Sequence, residues 1–201
     1  QMAGNSLCSP TEPINMTELN QLSPYLAQLK QNRHRQLLVI SGEQLWGYQQ
    51  VNALLPRFIG KQLVLSTHDE LAAAQWPEHT HQILGQEFDF AVYDGFSGIS
   101  PDKLAALSGT VKAGGLLILI LPNYKQLDDF KDPNFYAYQS AEQLNQYSYF
   151  NKRLAKHLTH LTHIQLDQHL GLTVPAIAAK PCQAKTKQQQ HAIDRIIKQS
   201  L

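Results

Sequence analysis

Cysteine is nearly missing. Its two copies in 201 residues, Cys8 and Cys182, lie in stretches without hydrophobic periodicity, so the chain offers neither a disulfide framework nor the paired spacing of a zinc site. Charge is scarce as well: Asp, Glu, Lys and Arg make up 16% of the residues, where about a quarter is usual. Glutamine, 23 copies of it, carries much of the polar surface instead. This balance excludes an acidic disordered tail and a histone-like basic protein. Long apolar runs are absent too. The longest, Leu116 to Leu121 behind two glycines, falls far short of the ~20 residues that cross a bilayer, and no basic-then-apolar leader opens the chain. These absences point to a cytoplasmic protein. What is present, 43% hydrophobic residues over this length, suffices for one ordinary globular domain with a real core.

The net charge of +1 hides a division. Residues 1–150 hold nine Lys/Arg against fourteen Asp/Glu, a net of −5, whereas residues 151–201 hold eight against two, a net of +6, and five of the nine histidines. Such asymmetry suggests an anionic partner for the C-terminal part, nucleic acid being the commonest. A solvated basic helix near an acidic surface accounts for it equally.

Residues 1–15, with Pro10 and Pro13 and no periodicity, read as a disordered leader, either partly vector-derived or an extension. Leu19, Leu22, Leu26 and Leu29 then recur at helical spacing, with Thr17 or Ser23-Pro24 to start the helix, which is expected over about 17–31. Leu37 to Ile40, bounded by Ser41-Gly42, is too short for a helix and reads as a buried strand. Further strands are expected at 62–66, 89–94 and 115–121, and a short one at 163–167. Between them fall helical patterns at 45–55, near 71–74 and 79–84, and after Ser100-Pro101, an N-cap and N1 pair. Strands alternating with helices form right-handed βαβ units around a parallel sheet. The expected fold is therefore α/β: a three-layer, Rossmann-like parallel sheet of four to five strands with helices on both faces.

The connection 123–149, aromatic and long, reads as a lid, a packing arm or a partly mobile loop. Phe150, Leu154, Leu158 and Leu161 restore helical period and are expected to face the core. The accessory domain would thus occupy 16–174, followed over 175–201 by a linker and a helix of about 188–199. The apolar face of that helix, Ile193, Ile196 and Ile197, has nothing after it to pack into, as if the chain were cut from a longer protein.

The loop after the first strand, where such a fold would hold a phosphate, reads Ser41-Gly42-Glu43-Gln44-Leu45-Trp46-Gly47. It matches no glycine-rich phosphate motif, and Glu43 would repel an anion. A phosphate-binding loop is therefore lacking. Asp94, at the end of the third predicted strand, sits where a carboxylate could hold magnesium or a ribose hydroxyl, or it simply forms the Asp94-Gly95 turn. His157, His160 and His163 diverge around a helix with no carboxylate or cysteine between them, a poor metal set. No catalytic triad or carboxylate pair can be argued from spacing. Lys152, Lys156 and His160 form an i, i+4, i+8 stripe with Arg153 and His157 beside it, either a phosphate-contacting ridge or an ordinary solvated face. Arg33 and Arg35, ahead of the first strand, are candidates for the same contact.

Several stretches resemble a known family: Arg35 to Glu43, Ile83 to Phe88, Ala91 to Asp94, and above all Leu104 to Pro122, with Phe150 to Leu158 as a late amphipathic helix. Together they resemble the N-terminal domain of the bacterial tRNA(Met) cytidine acetyltransferases. The resemblance implies an enzyme that makes N4-acetylcytidine at the wobble position of elongator tRNA(Met) from acetyl-CoA and ATP, its partners being tRNA and the helicase-like and acetyltransferase modules of the same chain. Those modules would carry the ATP site, the acetyl-CoA site and the catalytic groups, leaving no cofactor, metal or catalytic residue to this piece. Two other readings stand beside it. Gly114-Gly115 resembles a turn of S-adenosylmethionine-dependent methyltransferases, and the domain could serve purely as a docking module.

Overall fold

The apolar run beginning at Leu37 is buried on both sides, with Leu38 and Ile40 facing one layer and Val39 the other, the condition of an interior strand in a covered parallel sheet. In the computed structural model, which describes residues 14–123, 127–136, 148–176 and 186–199, this run is strand β1 (Gln36–Ser41). Outward from it on one side lie β5 (Val111–Leu121), β4 (Phe88–Asp94), β2 (Gln62–Leu65) and β3 (Ala74–Gln75), all parallel. On the other side β6 (Ile164–Asp167) is parallel to β1, and β7 (Gly171–Thr173) closes the edge antiparallel.

Helices α1 (Met16–Asn32) and α2 (Gln44–Leu54) cover one face, burying Leu22, Tyr25 and Leu29, then Trp46, Val51 and Leu54, against Leu38, Ile40, Ile118 and Ile120. On the opposite face α3 (Pro101–Thr110) contributes Leu107 and α5 (Tyr149–Leu158) contributes Leu158, with Leu154 and Ala155 beside it, against Val39, Leu119 and Leu121. A single turn, α4 (Pro133–Tyr136), precedes α5, and α6 (Lys187–Gln199) follows the sheet. The crossover through α2 carries the chain from β1 over β5 and β4 to β2. The crossover through α5 leaves β5 in the opposite direction and passes over β1 to β6. The carboxyl ends of β1 and β5 are therefore the topological switch point, where a sheet of this kind opens a ligand crevice.

The α/β class and the three layers agree with the sequence, but the sheet has seven strands rather than four or five. The extra ones, β3 and β7, are two and three residues long, too short to leave a period. Nor does a helix form at 71–74: Leu71 is buried as a single plug inside a turn that leads to β3, and 79–84 yields only a 3-10 turn at Thr80–Gln82. β5 begins at Val111, before the two glycines, and its register on β4 shifts there. Gly114 (φ 86) lies so close to α1 that a Cβ would come within 2.8 Å of the Lys30 Cα.

The fold also begins earlier than expected. Asn15 caps α1 in a reciprocal box with Glu18, Ile14 is buried, and its N–H donates to Gln50. Pro24 lies inside α1 rather than at its start. In the connection after β5, residues 127–136 are a packed arm. Leu127 is buried, and the buried Asp132 carboxylate accepts from the Ile99 and Asn134 amides and from Asn151 Nδ2. The remainder of that connection, the leader 1–13 with Cys8, and the linker residues 177–185 with Cys182 lie outside the described residues. On α5 the expected core face is only half right. Leu154 and Leu158 pack inward, but Phe150 is exposed and Leu161, past the helix end, is 56% exposed, while Asn151 takes a buried position. Among the described residues no helix is long and apolar enough to cross a membrane.

Candidate functional site

At the switch point the loop after β1 is tied to its neighbours. The Gly42 N–H donates to Leu121 O (3.1 Å), and the Glu43 N–H donates to Gln168 Oε1 (2.7 Å). Gln168, from the turn after β6, is held in turn by its own N–H on Ser41 O (3.0 Å). Only a glycine fits beneath it, since a Cβ at residue 42 would come within 2.6 Å of Gln168 Oε1. Two amides of this loop, those of Gly42 and Glu43, are thus engaged by a strand carbonyl and a glutamine, while α2 itself starts at Glu43 without a side-chain cap. With the exposed Glu43 carboxylate beside them, these residues do not fit a nucleotide phosphate.

Asp94 turns inward. Its carboxylate, fully buried, accepts from Tyr48 Oη (2.8 Å), Ser66 Oγ (2.7 Å), Ser97 Oγ (2.6 Å) and the Phe96 N–H (3.0 Å). Four donors satisfy the charge without an ion pair. Burial, reinforced by the Asp94 charge, pushes the Tyr48 phenol well above its ordinary value, so it stays a donor. Gln44 Nε2 donates to Tyr48 Oη (2.9 Å) and lies 3.3 Å from His68 Nε2. The cluster ties α2, β2 and the turn after β4 into one polar knot. Of the two roles read in the sequence for Asp94, the structure displays the turn, extended to a cap and a sink for three hydroxyls.

The exposed chemistry lies on α5. Ser148 caps the helix by accepting from the Asn151 N–H (3.2 Å), and Leu154 and Leu158 fix which side faces the sheet. Lys152, Arg153, Lys156 and His157 are left on the exposed side. Arg153 Nε donates to His157 Nε2 (3.4 Å). None of Lys152, Arg153 and Lys156 has a carboxylate partner among the described residues, where the ion pair found is Lys112 with Asp89. Nor is one close in sequence, because no Asp or Glu occurs between Glu142 and Asp167. His160 lies past the end of α5, its N–H on His157 O (3.0 Å), and His163 Nδ1 lies 2.8 Å from Leu161 O. Among the described residues no group of three metal-ligating side chains converges.

Arg33 and Arg35 are not part of this face. Arg33 ends α1 in the left-handed conformation (φ 55), and Arg35 precedes β1. Both flank the amino edge of the sheet, and α1 belongs to the layer opposite α5. α5 descends to that edge only at its last turn, on the way to β6. The sequence reading missed Tyr149, the first residue of α5 and 86% exposed. Its i, i+3, i+4, i+7 relation to Lys152, Arg153 and Lys156 was the available signal.

Residues 14–168 match the family model described as tRNA(Met) cytidine acetyltransferase TmcA, N-terminal. The chain belongs to the TmcA N-terminal family. It is similar to tRNA(Met) cytidine acetyltransferases TmcA from Photorhabdus asymbiotica, 38% identical over 114 residues, 57% of this chain and 16% of that protein. It also resembles those from Yersinia pestis, 28% over 177 residues (85% and 25%), and Nitrosococcus halophilus, 30% over 175 residues (80% and 22%). The chain thus spans a quarter or less of these relatives' length. The TmcA N-terminal match takes in the Gln168 plug, the Asp94 knot and the whole of α5, and ends before α6.

Proposed function

We propose that this chain is the N-terminal accessory domain of a cytoplasmic enzyme that acetylates the wobble cytidine of elongator tRNA(Met) to N4-acetylcytidine, and that its share of the work is contact with tRNA. ATP and acetyl-CoA belong, in this reading, to helicase-like and acetyltransferase modules elsewhere in the same polypeptide. The observation that carries the RNA role is the face of α5, where Lys152, Arg153 and Lys156 stand exposed without a carboxylate partner among the described residues. Cations left in this state on a helix bind phosphates by releasing counterions, which makes the contact weak, steeply salt-dependent and indifferent to base sequence. Filter binding of tRNA to this chain tests it. Binding that weakens steeply with salt is expected, without ATP hydrolysis or acetyl transfer by the chain alone; no binding even at low salt would refute it.

A docking role has one specific observation in its favour. The described side chains of α6 from Lys187 to Arg195 are all exposed, Ile193 among them. If α6 docks on another module, its amides exchange rapidly in this chain and become protected in the longer enzyme. Equal exchange in both would exclude docking by this helix.

A further inference from the structure

At 100° per residue, Tyr149, Arg153 and Lys156 fall within about 60° of one another on α5, with Lys152 and His157 flanking them on either side. The opposite side carries Leu154, Ala155 and Leu158, packed against the sheet. Tyr149 therefore sits at the middle of the cationic face, at its upper end, and is 86% exposed. A tyrosine so placed serves neither the core nor a cap: the core side of its own turn is held by Asn151, and the cap is Ser148. One exposed ring is ordinary on a protein surface; what sets Tyr149 apart is the cluster of exposed cations around it, Lys152, Arg153 and Lys156.

We propose that Tyr149 is a stacking platform for an unpaired base of the RNA whose backbone runs along Lys152, Arg153 and Lys156. This rests on the RNA role proposed above and adds a ligand class to it, a single-stranded or loop nucleotide rather than duplex. The argument is the combination of groups. Cations alone suit any phosphate backbone, but a flat, exposed ring within one helical turn of them fits the splayed bases of single-stranded RNA, every one of which offers a π-face. In a duplex the bases are stacked on each other, and only the phosphates would reach this face. An acidic protein surface would engage the same cations but would have no preference for unpaired nucleotides.

The test compares this chain with its Tyr149→Ala, Tyr149→Phe and Lys152→Ala/Lys156→Ala variants. The probes are an RNA stem with a seven-nucleotide loop and a fully paired duplex of the same length, with far-UV circular dichroism confirming that each variant is folded. Tyr149→Ala is expected to weaken loop RNA binding by roughly 5- to 150-fold, the usual worth of one stacked base. Duplex binding and the salt slope should stay unchanged, and Tyr149→Phe should bind as the parent does. The lysine pair should weaken both RNAs and flatten the slope. If Tyr149→Ala binds loop RNA normally, or loses loop and duplex equally, stacking is refuted while the phosphate ridge survives. If Tyr149→Phe loses as much as Ala, the hydroxyl and not the ring makes the contact, and the proposal fails. If neither RNA binds with salt dependence, the RNA role itself falls and this inference with it. Binding of polyglutamate to the same face that also depends on Tyr149 would point to a protein partner and likewise overturn it.

Discussion

Asp94 is a carboxylate that a sequence places at a ligand crevice and that the fold uses as a structural centre. Replacing it with Ala would strand the buried Tyr48 and Ser66 hydroxyls and remove the acceptor of the half-buried Ser97 hydroxyl and Phe96 amide. Each unsatisfied buried group costs about 1–3 kcal/mol, so Asp94→Ala should lower stability by about 3 kcal/mol or more in urea unfolding. A loss below ~1 kcal/mol would mean that water replaces the carboxylate. The tyrosines around it give a pH signature. Burial, then the charge of Asp94, raises the Tyr48 phenol above its ordinary 10.0. Burial likewise raises Tyr93, whose hydroxyl donates to Gly98 O and accepts from the Ser100 N–H. A proton held more tightly in the folded state stabilises it fully below pH ~10 and progressively less above, because the unfolded phenols then ionise first. The unfolding free energy from urea titration should therefore fall steeply above pH 10, by up to about 1.4 kcal/mol per pH unit for each phenol, and less steeply in Tyr48→Phe. An identical alkaline limb in wild type and Tyr48→Phe would contradict this.

At the scale of elements, α5 separates its duties by side. Leu158→Ala empties a position that is 2% exposed in the layer with Val39 and Leu119, and should cost about 2–4 kcal/mol. Lys152→Ala with Lys156→Ala touches only the solvent side and should change stability by less than about 0.5 kcal/mol. Thermal unfolding of both variants checks the division; a large loss in the lysine pair would show that these side chains support the fold. Elements with a strong period were legible in advance: α1, β1, α3 and most of β5 stand close to where their apolar patterns put them. Elements made by context were not. β3 and β7 are fragments recruited by the edges of an existing sheet, and the buried Leu71 belongs to a turn rather than a helix. On α5 the cationic stripe was readable from spacing. The exposure of Phe150 and Leu161 was not, because it depends on where the helix ends and on Asn151 and Asp132 meeting beneath it.

For the whole molecule, the division of charge along the chain becomes a division in space. The basic C-terminal quarter supplies the outer side of α5 and the exposed α6, whereas at the switch point Gln168 accepts from the Glu43 N–H and the Glu43 side chain is exposed. With the Gly42 and Glu43 amides tied to Leu121 and Gln168, the contacts proposed for this sheet lie on the outside of a helix. Arg33 and Arg35, set at the amino edge of the sheet, extend such a contact only if the RNA reaches that edge. Replacing them should then lower affinity less than replacing Lys152 and Lys156. The most direct measurement is the salt dependence of tRNA affinity for the longer enzyme proposed above, as wild type and as the Lys152→Ala/Lys156→Ala variant. Each phosphate contact contributes roughly 0.7 to 0.9 to the slope of log affinity against log salt. The slope should fall by about 1.5 in the variant, to the same extent for elongator tRNA(Met) and for a non-cognate tRNA, because these contacts position the RNA without reading it. An unchanged slope would show that the ridge is only a solvated face.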